Sequence, residues 1–265
     1  MATAVSPARV SAANPFNRPL LRVRLVTIAV VIAAWEALAH SGLFYKDVIP
    51  SSAKVAQAVV RQLSAASFYQ HLATTAMEVA AGFAIAVLVG IGLGILFGAR
   101  KFAGKVAEPF VQYLAPAPKI IFLPILMILF GIHEGSKIAM GALSAFFPIA
   151  ISTTAGMLTI NPVLIRVGRT FKASRWQMVR KIYLPALVVP IISGMRLGLG
   201  VAIIGVLLGE VKLSNRGLGF LAIQHYNTFQ IADMYAVLMI IFALAVLANE
   251  AMTRLNPRHA RIGRP

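Results

Sequence analysis

Acids and histidines, the side chains that could carry out chemistry here, are few and scattered along the chain. Among 265 residues there are eight acids, five histidines and no cysteine. Catalysis needs a cluster of such groups around the reacting atoms, and a metal site needs ligands at characteristic spacing. His133-Glu134 is not a zinc signature, because Lys137 stands where a second histidine is required. The acids mostly lie at the ends of apolar runs and form no pair: Glu36, Asp47, Glu78, Glu108, Glu134, Glu210, Asp233 and Glu250.

Motifs for nucleophilic and nucleotide chemistry are also missing from the sequence. It contains neither the G-x-S-x-G of serine hydrolases nor the G-x-x-x-x-G-K-[ST] loop that cradles nucleotide phosphates. The lack of cysteine excludes disulfides, thiol catalysis and cysteine metal sites. We therefore expect no enzyme and no cofactor bound by this chain itself.

Two charged residues lie inside apolar runs. At 1.5 Å per residue, Glu78 is roughly 10 Å into its run, and Arg196 is about 16 Å beyond Pro185. A buried carboxylate suits ion-coupled transport, and a buried cation can face an anionic solute. For Arg196 we favour the structural alternative, in which it pairs with a carbonyl or an acid on a neighbouring helix.

The elements that carry these residues are predicted to be membrane helices. The chain is 59% hydrophobic and 12% charged, and its mean hydropathy is +0.81. Soluble domains are about half apolar and a quarter charged, so the composition indicates an all-α integral membrane protein. Several apolar runs approach the roughly 20 residues that a helix needs to cross a bilayer.

The runs predict six spans within a single transmembrane domain of residues 22–253. The net charge of +17 does not indicate nucleic acid binding. Most basic residues lie in the two tails and in every second loop between the spans, as charges that set membrane topology do. This pattern places both termini in the cytoplasm, with a disordered tail at 1–21 and a basic tail at 254–265. The spans are predicted at about 22–40, 71–98, 119–131, 136–158, 186–209 and 232–251.

Proline and glycine mark the spans that are predicted to line a pore. Proline recurs between residues 109 and 124, and a helix interrupted in this way is tolerated where it faces protein or a water-filled path. The fifth span is rich in glycine. The predicted pore-lining residues are Pro118, Pro124, Arg196 and Gly198. For the stripe of Gly90, Gly94 and Gly98 we prefer packing within the chain to a dimer seam.

A basic segment at 160–185 lies between the fourth and fifth spans, on the cytoplasmic side. It has six basic residues and no acid, yet its apolar residues recur at spacings of three and four, as on one face of a helix. That stripe is Ile160, Val163, Leu164, Val167 and Phe171. Such a segment either lies on the lipid surface or docks onto another protein.

Resemblance to a known family favours the protein partner. Permeases of bacterial ABC importers carry a motif of E-A-A, three residues, glycine, nine residues and I-x-L-P, and here Ile182, Leu184 and Pro185 stand at the right distances. Other stretches, in order over roughly residues 30–253, resemble the nitrate/sulfonate/bicarbonate/taurine branch. They are Trp35-Glu36, Ile49-Pro50-Ser51, Pro118–Ile132, Gly135-Ser136-Lys137, Gly194–Gly200 and Gly217-Leu218-Gly219.

The resemblance implies the fold, the partners and the site. It implies the MetI-like transmembrane architecture of type I importers in a bacterial inner membrane, working as a dimer of permeases for which we expect two copies of this chain. ATPase subunits that bind ATP and an extracytoplasmic binding protein would complete an importer for a small anion such as a sulfonate, taurine or nitrate. The alternative is an ion-coupled secondary transporter or channel without an ATPase.

The coupling loop, residues 159–185, would seat a short helix in a groove of the ATPase. The coupling residues are predicted to be Val163, Leu164, Arg166, Val167, Gly168, Arg169, Phe171, Lys172, Ala173, Ser174, Arg175, Leu184 and Pro185. The chain departs from the motif here, since Arg166-Val167-Gly168 replaces E-A-A and Lys172 replaces the glycine. A lysine at positive φ costs roughly 1–2 kcal/mol, so we expect the turn at this position to be shifted or absent.

Overall fold

A computed structural model describes residues 18–44 and 48–254, and every regular element in these ranges is helical. Most of the two predicted tails, residues 1–17 and 255–265, lies outside the described residues. In chain order the helices are α1 (Arg18–His40), α2 (Ser52–Ser64), α3 (Ala66–Ala99), α4 (Lys101–Leu114), α5 (Leu123–Phe130), α6 (Glu134–Leu158), α7 (Pro162–Thr170), α8 (Arg175–Met178), α9 (Leu184–Leu213), α10 (Leu218–Asn227) and α11 (Ile231–Arg254).

The described residues up to Gln57 form a unit of their own, which contains α1 and the start of α2. The Trp35 indole donates a hydrogen bond to the Pro50 carbonyl over 3.0 Å. Glu36 accepts two hydrogen bonds from Ser52, from its backbone N–H at 3.0 Å and its hydroxyl at 2.7 Å. The Trp35-Glu36 pair therefore holds the turn at residues 49–52 against the end of α1.

Among the described residues of the second unit, 58–254, four helices have the length and apolar composition to cross a membrane. They are α3, α6, α11 and a continuous helix from Arg175 to Lys212 that includes α9. α3, α6, α9 and α11 coincide with the second, fourth, fifth and sixth predicted spans to within five residues at each end. The first predicted span falls within α1, which is not one of these four helices.

α6 packs between α3 and α9, and glycines make both contacts close. A Cβ on Gly94 of α3 would lie 2.6 Å from Cβ of Thr153, and a Cβ on Gly198 of α9 would lie 2.9 Å from Cδ1 of Ile149. Ile149 is the centre of a buried cluster with Ala86, Ala145 and Ala202. The glycine stripe of α3 therefore packs within the chain, as preferred from the sequence.

The predicted third span is interrupted. Residues 119–130 form a 3₁₀ turn (Lys119–Phe122) followed by α5. Together they span about 20 Å, whereas the hydrocarbon core is about 30 Å thick. α4 begins beside the inner end of α3, where a Cβ on Gly104 would lie 2.7 Å from the Phe97 carbonyl oxygen. Its 14 residues rise about 21 Å. We infer that α4 and α5 together make the third crossing, with a break at residues 115–118.

Candidate coupling loop

The chain enters the loop between α6 and α9 at a well-defined helix start. The Asn161 side chain accepts a hydrogen bond from the backbone N–H of Val163 at 2.9 Å, and Pro162 occupies the first turn of α7. Both features are typical of a helix N-terminus. Just before them, Ile160 is buried with Met157, Leu187 and Ile191. Ile160 therefore anchors the loop to α6 and α9, and it is not part of an exposed stripe as its spacing predicted.

α7 has an inner and an outer face. On the inner face Ile165 packs against the Met157–Leu187 cluster, and Gly168 is buried against Met178 and Ile182. A Cβ on Gly168 would lie 2.5 Å from both the Met178 sulfur and Ile182 Cδ1. Glycine therefore lets α7 lie directly on the segment that leads into α9.

The outer face carries exposed apolar side chains. Val163, Leu164 and Val167 are 46–51% exposed, and Phe171 is 81% exposed. Beyond the next turn, Trp176 is 67% exposed. Four exposed cations accompany them, with no acidic partner within the part of the chain that the structure describes: Arg166, Arg169, Lys172 and Arg175. Exposed apolar groups rimmed by charge are typical of a binding surface.

The turn expected to be shifted or absent is present at Lys172. Lys172 has φ 50°, one of the few positive values at residues other than glycine. Its N–H donates to the Arg169 carbonyl at 2.9 Å, and the Ala173 N–H donates to the Gly168 carbonyl at 3.0 Å. These two bonds form a Schellman motif, which commonly ends a helix with glycine. The hydrogen bonds and the packing of Gly168 hold lysine in the conformation that glycine adopts at lower cost.

A capping box begins the next helix directly after this turn. The Ser174 hydroxyl accepts from the Gln177 N–H at 3.2 Å, and the Gln177 side chain accepts from the Ser174 N–H at 2.8 Å. The S-x-x-Q spacing is a recognised helix-start signal, which our interpretation of the sequence overlooked. With Ala173 half-buried between the two motifs, the outer face of α7 and the start of α8 are held in a fixed relation.

A π-helical segment, Val179–Tyr183, joins α8 to α9 without a break. It directly precedes Leu184-Pro185, where Pro185 lacks the N–H that a regular helix would use. Leu184 packs against the Met157–Leu187 cluster, whereas Pro185 is exposed. Leu184 thus lies on the anchored side of the loop, away from the exposed stripe.

The predicted pore residues do not share one surface. Pro118 lines a cavity between the broken third crossing, α6 and α9. Pro124 is exposed at the start of α5, and Gly198 is buried against α6. Arg196 donates from Nε to the Asn249 side chain of α11 at 3.0 Å, which resembles the structural pairing favoured from the sequence, with an amide oxygen as acceptor. Their role in lining a pore stays a prediction.

A buried polar network joins the predicted outer ends of three helices. Lys137 of α6 and Glu78 of α3 form an ion pair at 2.6 Å, with side-chain exposures of 4% and 0%. Glu210 of α9 is also fully buried and accepts from the Thr75 hydroxyl at 2.6 Å and the Gly219 N–H at 2.7 Å. Glu78 and Glu210, two of the buried acids, are therefore both engaged in contacts between helices.

The turn between α9 and α10 is shaped around the Glu210 carboxylate. Gly217 has φ 104°, and a Cβ there would lie 2.2 Å from Oε1 of Glu210. The Leu218 N–H donates to the Thr75 hydroxyl at 2.8 Å. Glycine at position 217 satisfies both the backbone angle and the close approach, which accounts for Gly217.

Long apolar helices and an exposed loop between them are typical of a membrane permease component. Comparison with known proteins gives the family. Residues 86–260 match the family of the binding-protein-dependent transport system inner membrane component, and the chain belongs to this family. The taurine transport permease TauC of Escherichia coli is 31% identical over 89% of each chain. The putative aliphatic sulfonates permease SsuC of Bacillus subtilis is 30% identical over 88% of this chain and 84% of that one.

Two further comparisons concern a nitrate permease and a solved fold. The nitrate import permease NrtB of Synechocystis is 31% identical over 68% of this chain and 65% of its own length. The MetNI methionine ABC transporter, in an inward facing conformation, has a chain that aligns with a TM-score of 0.61 at 22% identity, over 76% of this chain and 96% of that one. The all-helical, MetI-like fold and the resemblance to the nitrate, sulfonate and taurine branch are thus confirmed, and the chain is a transport subunit and not an enzyme.

Proposed function

We propose that this chain forms the translocation path of an ATP-driven importer in a bacterial inner membrane, and that ATPase subunits drive it through the loop 159–185. The observation that carries the proposal is the outer face of α7, where Val163, Leu164, Val167 and Phe171 are exposed beside four cations. A helix with an apolar face and a charged rim suits a groove on a partner protein. The family's description as a component of a binding-protein-dependent system supports such an assembly.

The contacts of α7 supply a path from the loop to the spans. Its inner face rests on Met178 and Ile182, which belong to the continuous helix that becomes α9. Ile160 and Ile165 join the same cluster as Met157 of α6 and Leu187 of α9. When ATP closes the ATPase pair, a shift of α7 therefore bears directly on α6 and α9. Alternating access follows as these helices change their packing.

The remaining partners follow from this role. The translocation path needs a second permease, for which we propose a second copy of the same chain, because most soluble oligomers are symmetric assemblies of identical chains. A binding protein would deliver the solute from outside. ATP would be bound by the ATPase subunits, and this chain would hold no cofactor.

The proposed solute is a small anion with a sulfonate or similar oxyanion group. The relatives are named for taurine, aliphatic sulfonates and nitrate. Each of these solutes has a compact oxyanion group with a delocalised negative charge, and taurine carries an ammonium as well. For the test, the permease, its ATPase and its binding protein are reconstituted in proteoliposomes with ATP. Uptake is then compared for taurine, ethanesulfonate, nitrate, methionine and choline. We expect uptake of at least one of the three sulfonate or nitrate probes, at least about tenfold above choline. ATP-driven uptake of methionine or choline, with none of the three anions carried, would refute the assignment.

A further inference from the structure

A cavity of about 460 Å³ lies where the broken third crossing meets α6 and α9. Its wall is mainly apolar, with Met140, Phe147 and Pro148 from α6 facing Val201 and Ile204 from α9. The volume falls within the range usual for small-molecule sites. It is large enough for an anion of a few heavy atoms.

Lys119 supplies the charge in this cavity. Its ammonium donates to the Ala115 carbonyl and lies 5.4 Å from the centre of the Phe147 ring. No acid is among the residues that line the cavity. The other lining side chain with a hydrogen-bond donor is Ser144, whose hydroxyl already donates to the Met140 carbonyl at 2.8 Å. Lys119 is therefore the side-chain donor with capacity left for a ligand.

Lys119 lies deep in the membrane, where placing a charged side chain costs free energy. Phe147 is 13 residues from Glu134 and 11 from Leu158, the two ends of α6, which places it about 20 Å from one end and 17 Å from the other. The Lys119 ammonium thus lies beside the middle of α6, which is a spanning helix. Charged groups at that depth are expensive, and they typically face a cavity or a substrate path.

The second large cavity is less suited to an anion. It measures about 750 Å³ and lies at the predicted outer end, where it is lined by Glu134 as well as Lys137 and Arg216. Lys137 is already paired with Glu78. The charged side chains that line this outer cavity are of both signs and partly neutralise each other, whereas the cavity at Lys119 is lined by positive charge alone.

We propose that the Lys119 ammonium binds the anionic group of the solute inside the membrane, in the cavity between the third crossing, α6 and α9. The inference rests on the proposed function, and it names the binding group of the translocation path. The break at residues 115–118 explains how Lys119 comes to face the cavity, because it ends α4 and places Lys119 in the cavity wall. The apolar wall would accept the carbon portion of a sulfonate, while nitrate would use the cation alone.

The test uses the reconstituted importer and whichever of taurine, ethanesulfonate and nitrate the wild-type complex carries. Lys119→Met is expected to lower uptake of that anion about tenfold or more, since it removes a charge-assisted hydrogen bond. Lys119→Arg, which keeps the charge, is expected to retain most of the uptake. Lys105→Met is the matched control, because Lys105 is an exposed lysine of α4, and its uptake should equal that of the wild type.

A thiol in place of Lys119 separates charge from structure. The chain has no cysteine, so Lys119→Cys places a single reactive thiol in the permease, which is modified before assembly with its partners. Modification with 2-aminoethyl methanethiosulfonate restores an ammonium and should restore uptake, whereas the sulfonatoethyl reagent should not. Wild-type uptake by Lys119→Met, or no recovery with the aminoethyl reagent, would overturn the role of Lys119. A wild-type complex that carries none of the three probes would refute the proposed solute class, and this proposal with it.

Discussion

Replacing Arg169 and Arg175 together with glutamate is expected to release the ATPase from the permease. Arg169 and Arg175 flank the turn at Lys172, and both are exposed without an acidic partner in the described ranges. The substitutions turn two attractive charges into repulsive ones at the rim of the proposed groove, and like charges across an interface cost several kcal/mol. We expect the amount of ATPase that co-purifies with the tagged permease in detergent to fall about tenfold or more below that of the wild type.

Membrane insertion should survive this change. Arg166, Lys172, Arg180 and Lys181 remain in the loop, and acidic residues contribute little to topology. The matched control reverses Arg100 and Lys105, two exposed basic residues near the start of α4, and should leave ATPase binding unchanged. Retention of the ATPase by the Arg169/Arg175 variant, at the level of this control, would disprove docking through these residues.

Substitution of Lys137 by methionine is expected to destabilise the permease strongly. Glu78 is fully buried, and Lys137 is its ion-pair partner at 2.6 Å. Removing one partner of a buried pair typically costs about 3–5 kcal/mol, because the remaining charge has lost its compensation. The expected drop in the thermal unfolding midpoint of the detergent-solubilised protein is on the order of 10 °C.

The double variant Glu78→Gln with Lys137→Met tests whether the loss comes from the pair. A neutral amide is cheaper to bury than an unpaired carboxylate, so the double variant should be more stable than Lys137→Met alone. Lys105→Met, the same change at an exposed site, should leave the midpoint near that of the wild type. Strictly additive losses in the double variant would show that Lys137 and Glu78 do not stabilise each other.

The long helices could be predicted from the sequence because each depends on a local property. An apolar run of 20 or more residues is sufficient to form a spanning helix, and α3, α6, α9 and α11 match their predicted spans closely. The third crossing was harder, because its prolines weaken the periodicity on which the prediction rests. Its first half, α4, carries Lys101, Lys105 and Glu108, and it lacks a continuous apolar run.

Contacts between residues far apart in the chain could not be predicted from the sequence pattern. Lys137 and Glu78 are 59 positions apart, and only the packing of α3 on α6 brings them together. At Lys172 the expectation of a shifted or absent turn was wrong, because the contacts that offset the cost of positive φ were not visible in the sequence. Gly168 and the Ser174–Gln177 capping box hold that turn from both sides, and the second of these could have been recognised from its spacing.

The central claim is that transport by this chain depends on a separate ATPase, and reconstitution in proteoliposomes tests it most directly. Purified permease is reconstituted either alone or with the ATPase and the binding protein, and uptake of the anion is measured with ATP supplied or with an imposed proton or sodium gradient. The account predicts uptake by the complete system with ATP, and none above protein-free liposomes for the permease alone under either gradient. Uptake by the permease alone, driven by an ion gradient, would contradict the account and identify a secondary transporter.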